Sequence, residues 1–157
     1  MAVMIRRFRL GDEIALARVF QRSVSSIAPT KYRDDQVAAW LQSGPTSDEL
    51  RDRMRSREAF VAEDDGVLVG WIDLLPSGHI DMLYCIPERS RGGIADMLYV
   101  EVEKRARAMG ISRLHSEASI FAEAFFKRHG WRVDERELVV RLGVTIARAR
   151  MSVALER

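Results

Sequence analysis

A chain of 157 residues with 47% apolar and 31% charged residues is long enough to bury one hydrophobic core. The formal net charge of +2 comes from 25 basic and 23 acidic residues that alternate along the chain, so a nucleic-acid partner is not expected. The chain has a single cysteine, Cys85, so no internal disulfide is expected. It has no apolar signal region and no apolar run near the ~20 residues of a membrane span, which predicts a cytoplasmic protein with no membrane partner.

The first third of the chain has the pattern of one strand followed by helices. Apolar residues from Leu16 to Ile27 recur with a helical period, as on the buried face of a helix. Thr46 and Glu49 have the spacing of a capping box. The predicted elements are a strand over 3–8, a helix capped by Asp12 and stopped by Pro29, a short helix from Asp34 to the break at Gly44–Pro45, and a helix from Thr46 to about residue 57.

The remainder of the chain alternates strands with two helices. Asp64-Asp65-Gly66 is a strong hairpin turn between two apolar runs, and Ser119 is placed to cap the last helix. The predicted elements are strands over 59–63, 67–74 and 79–86, a helix over 93–109, a strand over 113–118, a helix over 121–129, and an antiparallel pair over 131–141 and 144–154. This order predicts a single domain over residues 1–157, with a mixed, mostly antiparallel sheet and helices on both faces.

The stretch from residue 83 to residue 98 joins an apolar strand to the long helix through a glycine turn. The strand ends at Pro87, and Gly92-Gly93 opens the helix. Free backbone N–H groups and the positive end of the helix dipole bind anions at such a turn, most often phosphates. A side chain at either glycine would obstruct a phosphate, whereas Arg91 can add a charge-assisted contact. A P-loop nucleotide site is excluded because the chain lacks the Gly-Lys-Ser/Thr motif.

Two blocks of the sequence resemble the GNAT superfamily of N-acetyltransferases, in particular its small bacterial single-domain members. Ser90-Arg91-Gly92-Gly93-Ile94-Ala95 is similar to the family pattern Gln/Arg-x-x-Gly-x-Gly/Ala; Gly93 and Ala95 match it, and Ser90 departs from it. The block from Ser119 to Trp131 is similar to a second family segment, Asn-x-x-Ala-x-x-x-Tyr-x-x-x-Gly-Phe. The resemblance spans nearly the full chain and implies acetyl-coenzyme A (acetyl-CoA) as co-substrate, with its pyrophosphate on the glycine turn.

The same resemblance implies how the cofactor lies on the sheet. In the family, the strand before the glycine turn splays from the next parallel strand, here residues 115–118, and its exposed backbone pairs with the pantetheine arm. The backbone N–H near Cys85 is the implied oxyanion donor, and the Cys85 thiol is interpreted as packing. The residues expected at the cofactor are Leu83, Tyr84, Cys85, Ser90, Arg91, Gly92, Gly93, Ile94, Ala95, Asp96, Ser119, Ala122, Phe125 and Phe126.

Acetyl transfer to an amine requires a group that takes the proton of the amine. The candidates are His79, Asp81 and Glu117. His79 and Asp81 are two residues apart on one predicted strand, so both side chains are expected on the same face. His79 is the preferred base because an unperturbed imidazole has a pKa of about 6.5, and Asp81 either orients it or acts through a water molecule. No metal is expected.

The leaving thiolate and the acceptor raise separate questions. Phe126 stands where many family members have a tyrosine that protonates the thiolate, so either Tyr84 or Tyr32 donates that proton or the thiolate leaves without help. The acceptor pocket is expected between the early helices and the final strand pair, with Tyr32 and Trp40 in its wall.

Two functions follow from these observations. The first is an acetyl-CoA-dependent N-acetyltransferase that acts directly on the amine of a small molecule or peptide. The alternative is a non-catalytic acyl-CoA-binding or sensor domain on the same fold, which the departures at Ser90 and Phe126 favour. The resemblance also allows a homodimer.

Overall fold

Seven strands in the described part of the chain, residues 3–89 and 92–156 of this computed structural model, form two antiparallel sheets. The first sheet has the order β1-β2-β3-β4 and the second the order β5-β7-β6. The strands are β1 Val3–Arg7, β2 Glu58–Asp64, β3 Val67–Leu74, β4 Leu83–Cys85, β5 Arg113–Ala118, β6 Arg132–Arg141 and β7 Val144–Ala154. The sheets meet at a parallel bridge between His79 and His115, just before β4 begins. The predicted mixed, mostly antiparallel sheet with a splayed parallel pair is confirmed.

Helices cover both faces of the first sheet. Tyr84 and Cys85 are adjacent on β4, so their side chains point to opposite faces. The Tyr84 ring packs on Phe20 of the first helix, with 5.0 Å between ring centroids, whereas the thiol of Cys85 and Ile94 of the fourth helix both lie close to Gly70. The α-helices are α1 Glu13–Ile27, α2 Asp34–Ser43, α3 Ser47–Arg53, α4 Ile94–Ala108 and α5 Ile120–Arg128. None of these described helices is long and apolar enough to cross a membrane.

Two predicted helix caps are confirmed and one is wrong. The hydroxyl of Ser119 accepts the backbone N–H of Ala122 at 3.2 Å and caps α5. The hydroxyl of Thr46 accepts the backbone N–H of Glu49 at 3.2 Å, and the Glu49 carboxylate accepts the N–H of Thr46 at 3.0 Å, so the capping box is formed. Asp12 makes no side-chain cap, because its carboxylate turns back to accept the backbone N–H of Arg9 at 2.9 Å and to pair with Arg6. Asp12 therefore ties α1 to the end of β1.

The predicted strand over 79–86 is wrong in its first half, because regular pairing begins only at Leu83. The Asp73 carboxylate, near the end of β3, accepts the backbone N–H groups of Asp81 at 2.8 Å and Met82 at 2.9 Å. A side chain thus takes the place of ladder bonds, as at a β-bulge, and regular pairing with β3 is interrupted. An apolar run in the sequence carries no sign of this long-range contact.

Candidate active site

A cleft of about 610 Å³ opens where β4 and β5 diverge beyond the bridge between the two sheets, and its size is typical of small-molecule sites. Strand β4 lines one wall, β5 and α5 line the other, and residues of α1, α2 and the β6–β7 pair complete the lining. The predicted site residues that line this cleft are Tyr32, Trp40, Asp81, Leu83, Tyr84, Cys85, Ala95, Glu117, Ser119, Ala122, Phe125 and Phe126.

The backbone of β4 presents polar groups to the cleft. Ile86 donates its N–H to the carbonyl of Val69 at 2.9 Å, so residue 86 is hydrogen-bonded to β3. Bonded and non-bonded positions alternate along an antiparallel pair, and the N–H groups of Cys85 and Leu83 therefore point to the opposite edge of β4. That edge faces β5 across the cleft. An extended, amide-containing ligand arm can add to it as a strand would.

The start of α4 supplies further N–H groups. Gly93 has a φ of +79°, a left-handed conformation that side chains rarely adopt, and it turns the chain into the helix. The first hydrogen bond within α4 runs from the N–H of Met97 to the carbonyl of Gly93 at 3.0 Å. The N–H groups of Ile94 and Ala95 precede that bond, and they lie at the positive end of the helix dipole. Gly92 stands directly before this turn.

Asp96, Ser90 and Arg91 are also predicted at the cofactor. The Asp96 carboxylate lies 2.7 Å from Nε2 of His129 at the end of α5, so it joins two helices. Ser90 and Arg91 lie outside the described residues, and the expected phosphate contact of Arg91 stays a prediction.

A buried ion pair holds the segment between the bridge and β4. Asp73 is fully buried, and Nη1 of Arg57 lies 2.8 Å from its carboxylate and 2.9 Å from the Asp81 carboxylate. Burial is the main cause that raises the pKa of Asp73, while the N–H of Met82 and the Arg57 guanidinium act in the opposite direction. Asp81 therefore binds Arg57, and the expectation that Asp81 orients His79 is wrong. The interruption at residues 81 and 82 breaks the strand alternation on which that expectation depended.

His79 has a different acidic partner, Glu117 on β5. Nε2 of His79 lies 3.1 Å from both carboxylate oxygens of Glu117. This hydrogen bond is the main cause that raises the pKa of His79 and lowers the pKa of Glu117. The His79 ring also stacks on His115, with 5.1 Å between centroids, and burial together with the nearby His79 lowers the pKa of His115. Glu117 lines the cleft but His79 is not among the lining residues, so the carboxylate of this pair is the group that faces the cleft.

Two tyrosine hydroxyls lie among the aromatic residues of the cleft. Burial raises the pKa of Tyr84 to about 12, while the nearby Trp40 side chain acts in the opposite direction. The Tyr84 phenol therefore stays protonated at neutral pH, and its O–H can donate a hydrogen bond. The Tyr32 oxygen accepts the backbone N–H of Ile120 at 2.9 Å, which satisfies one of the unpaired N–H groups at the start of α5. The Tyr32 phenol is therefore oriented by a fixed donor.

Three further side chains of the cleft, those of Phe125, Phe126 and Cys85, pack against their neighbours. Phe126 is buried and stacks on Trp131, with 4.1 Å between centroids, and Phe125 packs at right angles to the Tyr99 ring. Burial raises the pKa of the Cys85 thiol to about 12, so it stays protonated at neutral pH, in agreement with its interpretation as a packing residue.

Three residues of this site are absent from the sequence-based expectations. Asp73 carries a visible signal, since it is a carboxylate inside the apolar run Trp71–Leu74 and therefore needs a buried partner. His115 lies two residues before Glu117, a spacing that puts both on one face of a strand. Arg57 has no local signal, because its role comes only from its position beside two carboxylates.

Comparison with known proteins gives a consistent result. Residues 28–152 match the family described as "Acetyltransferase (GNAT) domain". The chain is 32% identical over 137 residues to YafP, an uncharacterized N-acetyltransferase of Escherichia coli (strain K12), with 87% of this chain and 86% of that protein covered. It superposes with a TM-score of 0.91 on a GCN5-related N-acetyltransferase of Rhodopseudomonas palustris, which is 27% identical, covering 99% and 97% of the two chains.

The PaiA N-acetyltransferase of Thermoplasma acidophilum, which was solved in complex with coenzyme A, has the same fold. The TM-score is 0.82 at 19% identity, and the match covers 99% of this chain and 100% of that chain. Fold and cleft together define an acetyltransferase of the GNAT type. The chain belongs to the GNAT superfamily of N-acetyltransferases, as the sequence blocks at 90–95 and 119–131 predict.

We predict that Asp73→Ala destabilises the protein far more than Asp81→Ala. Removing the Asp73 carboxylate leaves two backbone N–H groups and part of a buried guanidinium without an acceptor, at a cost of about 3 kcal/mol. Asp81 is one-third exposed, and its ion-pair partner among the described residues is Arg57, so its removal costs about 1 kcal/mol or less. Urea denaturation followed by circular dichroism measures both values, and equal losses for the two variants would contradict this role of Asp73.

Proposed function

We propose that this protein transfers the acetyl group of acetyl-CoA directly to the amine of a small molecule or peptide. The observation that carries the proposal is the free edge of β4, which leads from a histidine–carboxylate pair at one end of the cleft to the glycine turn at the other. A ligand with an amide-containing arm and a pyrophosphate fits this order of groups. The proposed cytoplasmic location and homodimer stay predictions.

The cofactor is proposed to bind mainly through backbone groups. The edge N–H groups of Leu83 and Cys85 pair with the pantetheine arm, and the N–H groups at Gly93 to Ala95 bind the pyrophosphate. Backbone donors do not depend on the side chain at residue 90, so the departure at Ser90 from the family pattern does not exclude this mode of binding. Bound acetyl-CoA supplies an activated thioester.

Protein groups are then proposed to handle the proton and the developing charge. His79, oriented by Glu117, accepts the proton of the attacking amine. The N–H of Cys85 stabilises the charge that develops on the thioester oxygen. Tyr84 donates its phenolic proton to the departing thiolate, in the role that Phe126 cannot fill, because it lines the cleft and burial keeps its phenol protonated.

The acceptor is proposed to lie against Tyr32 and Trp40, whose rings meet edge to face with 5.5 Å between centroids. Both side chains line the cleft, and their aromatic faces can attract a protonated amine before it loses its proton. The charged side chains of the lining are mixed in sign, so they do not select the acceptor: Asp81, Glu117, Arg53, Arg141 and Arg148.

A charge at the glycine turn is predicted to weaken coenzyme A binding. Gly93→Asp places a carboxylate where the pyrophosphate binds, and we expect the dissociation constant to rise at least about tenfold, which corresponds to about 1.4 kcal/mol. Gly110→Asp is a matched control, since Gly110 follows the other end of α4 with a similar φ of +76°. Isothermal titration calorimetry with coenzyme A measures both, and equal affinities for the two variants would overturn the proposed pyrophosphate site.

Removal of the base is predicted to slow turnover without a matching loss of cofactor affinity. We expect His79→Gln to lower kcat by about 10²–10⁴-fold, the usual contribution of a general base. His129→Gln is the control, because the carboxylate that pairs with His129, Asp96, does not line the cleft, whereas Glu117, which pairs with His79, does. Thiol release across a panel of amines with acetyl-CoA provides the rates.

The outcomes of that assay distinguish the acetyltransferase from the non-catalytic domain and test the role of His79. Turnover that falls only in the His79 variant supports the proposed reaction. Tight acetyl-CoA binding without turnover of any amine favours the non-catalytic sensor domain, a reading to which the buried Phe126 gives some support. Unchanged turnover in His79→Gln would remove His79 from the mechanism.

A further inference from the structure

Three side chains that commonly bind metals converge where the two sheets meet. His79 and His115 are paired across the parallel bridge, and Glu117 follows two residues after His115 on β5. Alternation along β5 puts His115 and Glu117 on the same face of the strand, next to His79. One ligand atom from each of the three residues lies within 4.8 Å of the other two.

The geometry of the cluster is close to that of a metal site. A tetrahedral ion with bonds of about 2.1 Å keeps its ligand atoms about 3.4 Å apart. Nε2 of His79 and the Glu117 oxygens are already 3.1 Å apart, so this pair needs little change. His115 has to move by about an ångström, which rotation of its ring about the side-chain torsions provides.

The two imidazoles of the cluster lie close together. Their ring centroids are 5.1 Å apart and their planes differ by 18°. Because a metal ion lies in the plane of each imidazole that binds it, one of these nearly parallel rings has to rotate for both to bind one ion, and the side-chain torsions allow that rotation.

The charges around the cluster are mixed. Asp81 and Asp73 lie near His79 and favour a cation, whereas Arg148 lies near Glu117 and Arg113 near His115. Arg148 is engaged by Glu137 at 3.1 Å, which offsets part of its charge. Two imidazoles and a carboxylate are nevertheless a ligand set that suits zinc and other divalent transition metals.

We propose that His79, His115 and Glu117 bind a divalent transition-metal ion such as Zn²⁺, with a fourth coordination position open to the cleft. The bound ion takes the place of the proton on His79 Nε2 and so removes the hydrogen bond between His79 and Glu117. On the proposed function, that hydrogen bond orients the imidazole that accepts the proton of the amine, so a bound ion inhibits acetyl transfer. The metal site itself does not depend on the proposed reaction.

Titration of the full-length protein with Co²⁺ tests the site without any acetyl acceptor. We expect one equivalent to bind with the visible absorption of a tetrahedral Co²⁺ complex, and excess Zn²⁺ to displace it. His115→Phe keeps an aromatic ring against His79 but removes the ligand nitrogen, and we expect the dissociation constant to rise at least about tenfold. His129→Phe is the control and is expected to bind as the unmodified protein does.

Absence of Co²⁺ binding, or equal binding in His115→Phe and His129→Phe, would overturn the site. Circular dichroism shows whether each variant is folded. If His115→Phe does not fold, Glu117→Gln removes a different metal ligand and replaces it in the test. Zn²⁺ inhibition of thiol release that is weakened in His115→Phe supports the inhibitory role. Metal binding without inhibition would refute only the inhibitory role. Absence of turnover on every amine would refute the proposed acetyl transfer, and the Co²⁺ titration would still test the metal site.

Discussion

The buried carboxylate of Asp73 is the constraint on which the site depends. It accepts two backbone N–H groups from residues 81 and 82 and is neutralised by Arg57. These bonds interrupt the strand pairing just after the bridge between the sheets, so β4 continues along β3 while β5 turns away with the second sheet. The divergence creates the cleft and leaves one edge of β4 without a strand partner among the described residues. A polar group inside the core thus determines where a ligand can bind.

The same divergence explains how charges are distributed around the cleft. Asp81 is held by Arg57 on the side of the first sheet, whereas Glu117 on the second sheet reaches back to His79. Two acidic groups near one histidine therefore have different partners, and only Glu117 is positioned to orient the imidazole. His79 stands at the junction, which makes it the common element of the proposed acetyl transfer and the proposed metal site.

Local sequence patterns predict much of this architecture but not the contacts that shape the site. The period of apolar residues and the turn at Asp64–Gly66 predict the order of elements, and the glycine turn with the block from Ser119 predicts the family. The strand over 79–82 and the pairing of Asp81 with His79 were wrong because Asp73 acts from a neighbouring strand. Likewise, Asp12 does not form its predicted helix cap, because its carboxylate pairs with Arg6. His115 was missed since its partner lies 36 positions away in the sequence, across the bridge between the sheets.

Hydrogen exchange of the β4 amides with and without coenzyme A tests the central claim most directly. The N–H of Ile86 is bonded to β3 and should be protected in both states. The N–H groups of Leu83 and Cys85 point to the free edge, so we expect fast exchange without coenzyme A and clear slowing when it binds. Unchanged exchange at both amides in the bound protein, or full protection before binding, would contradict the role of this edge.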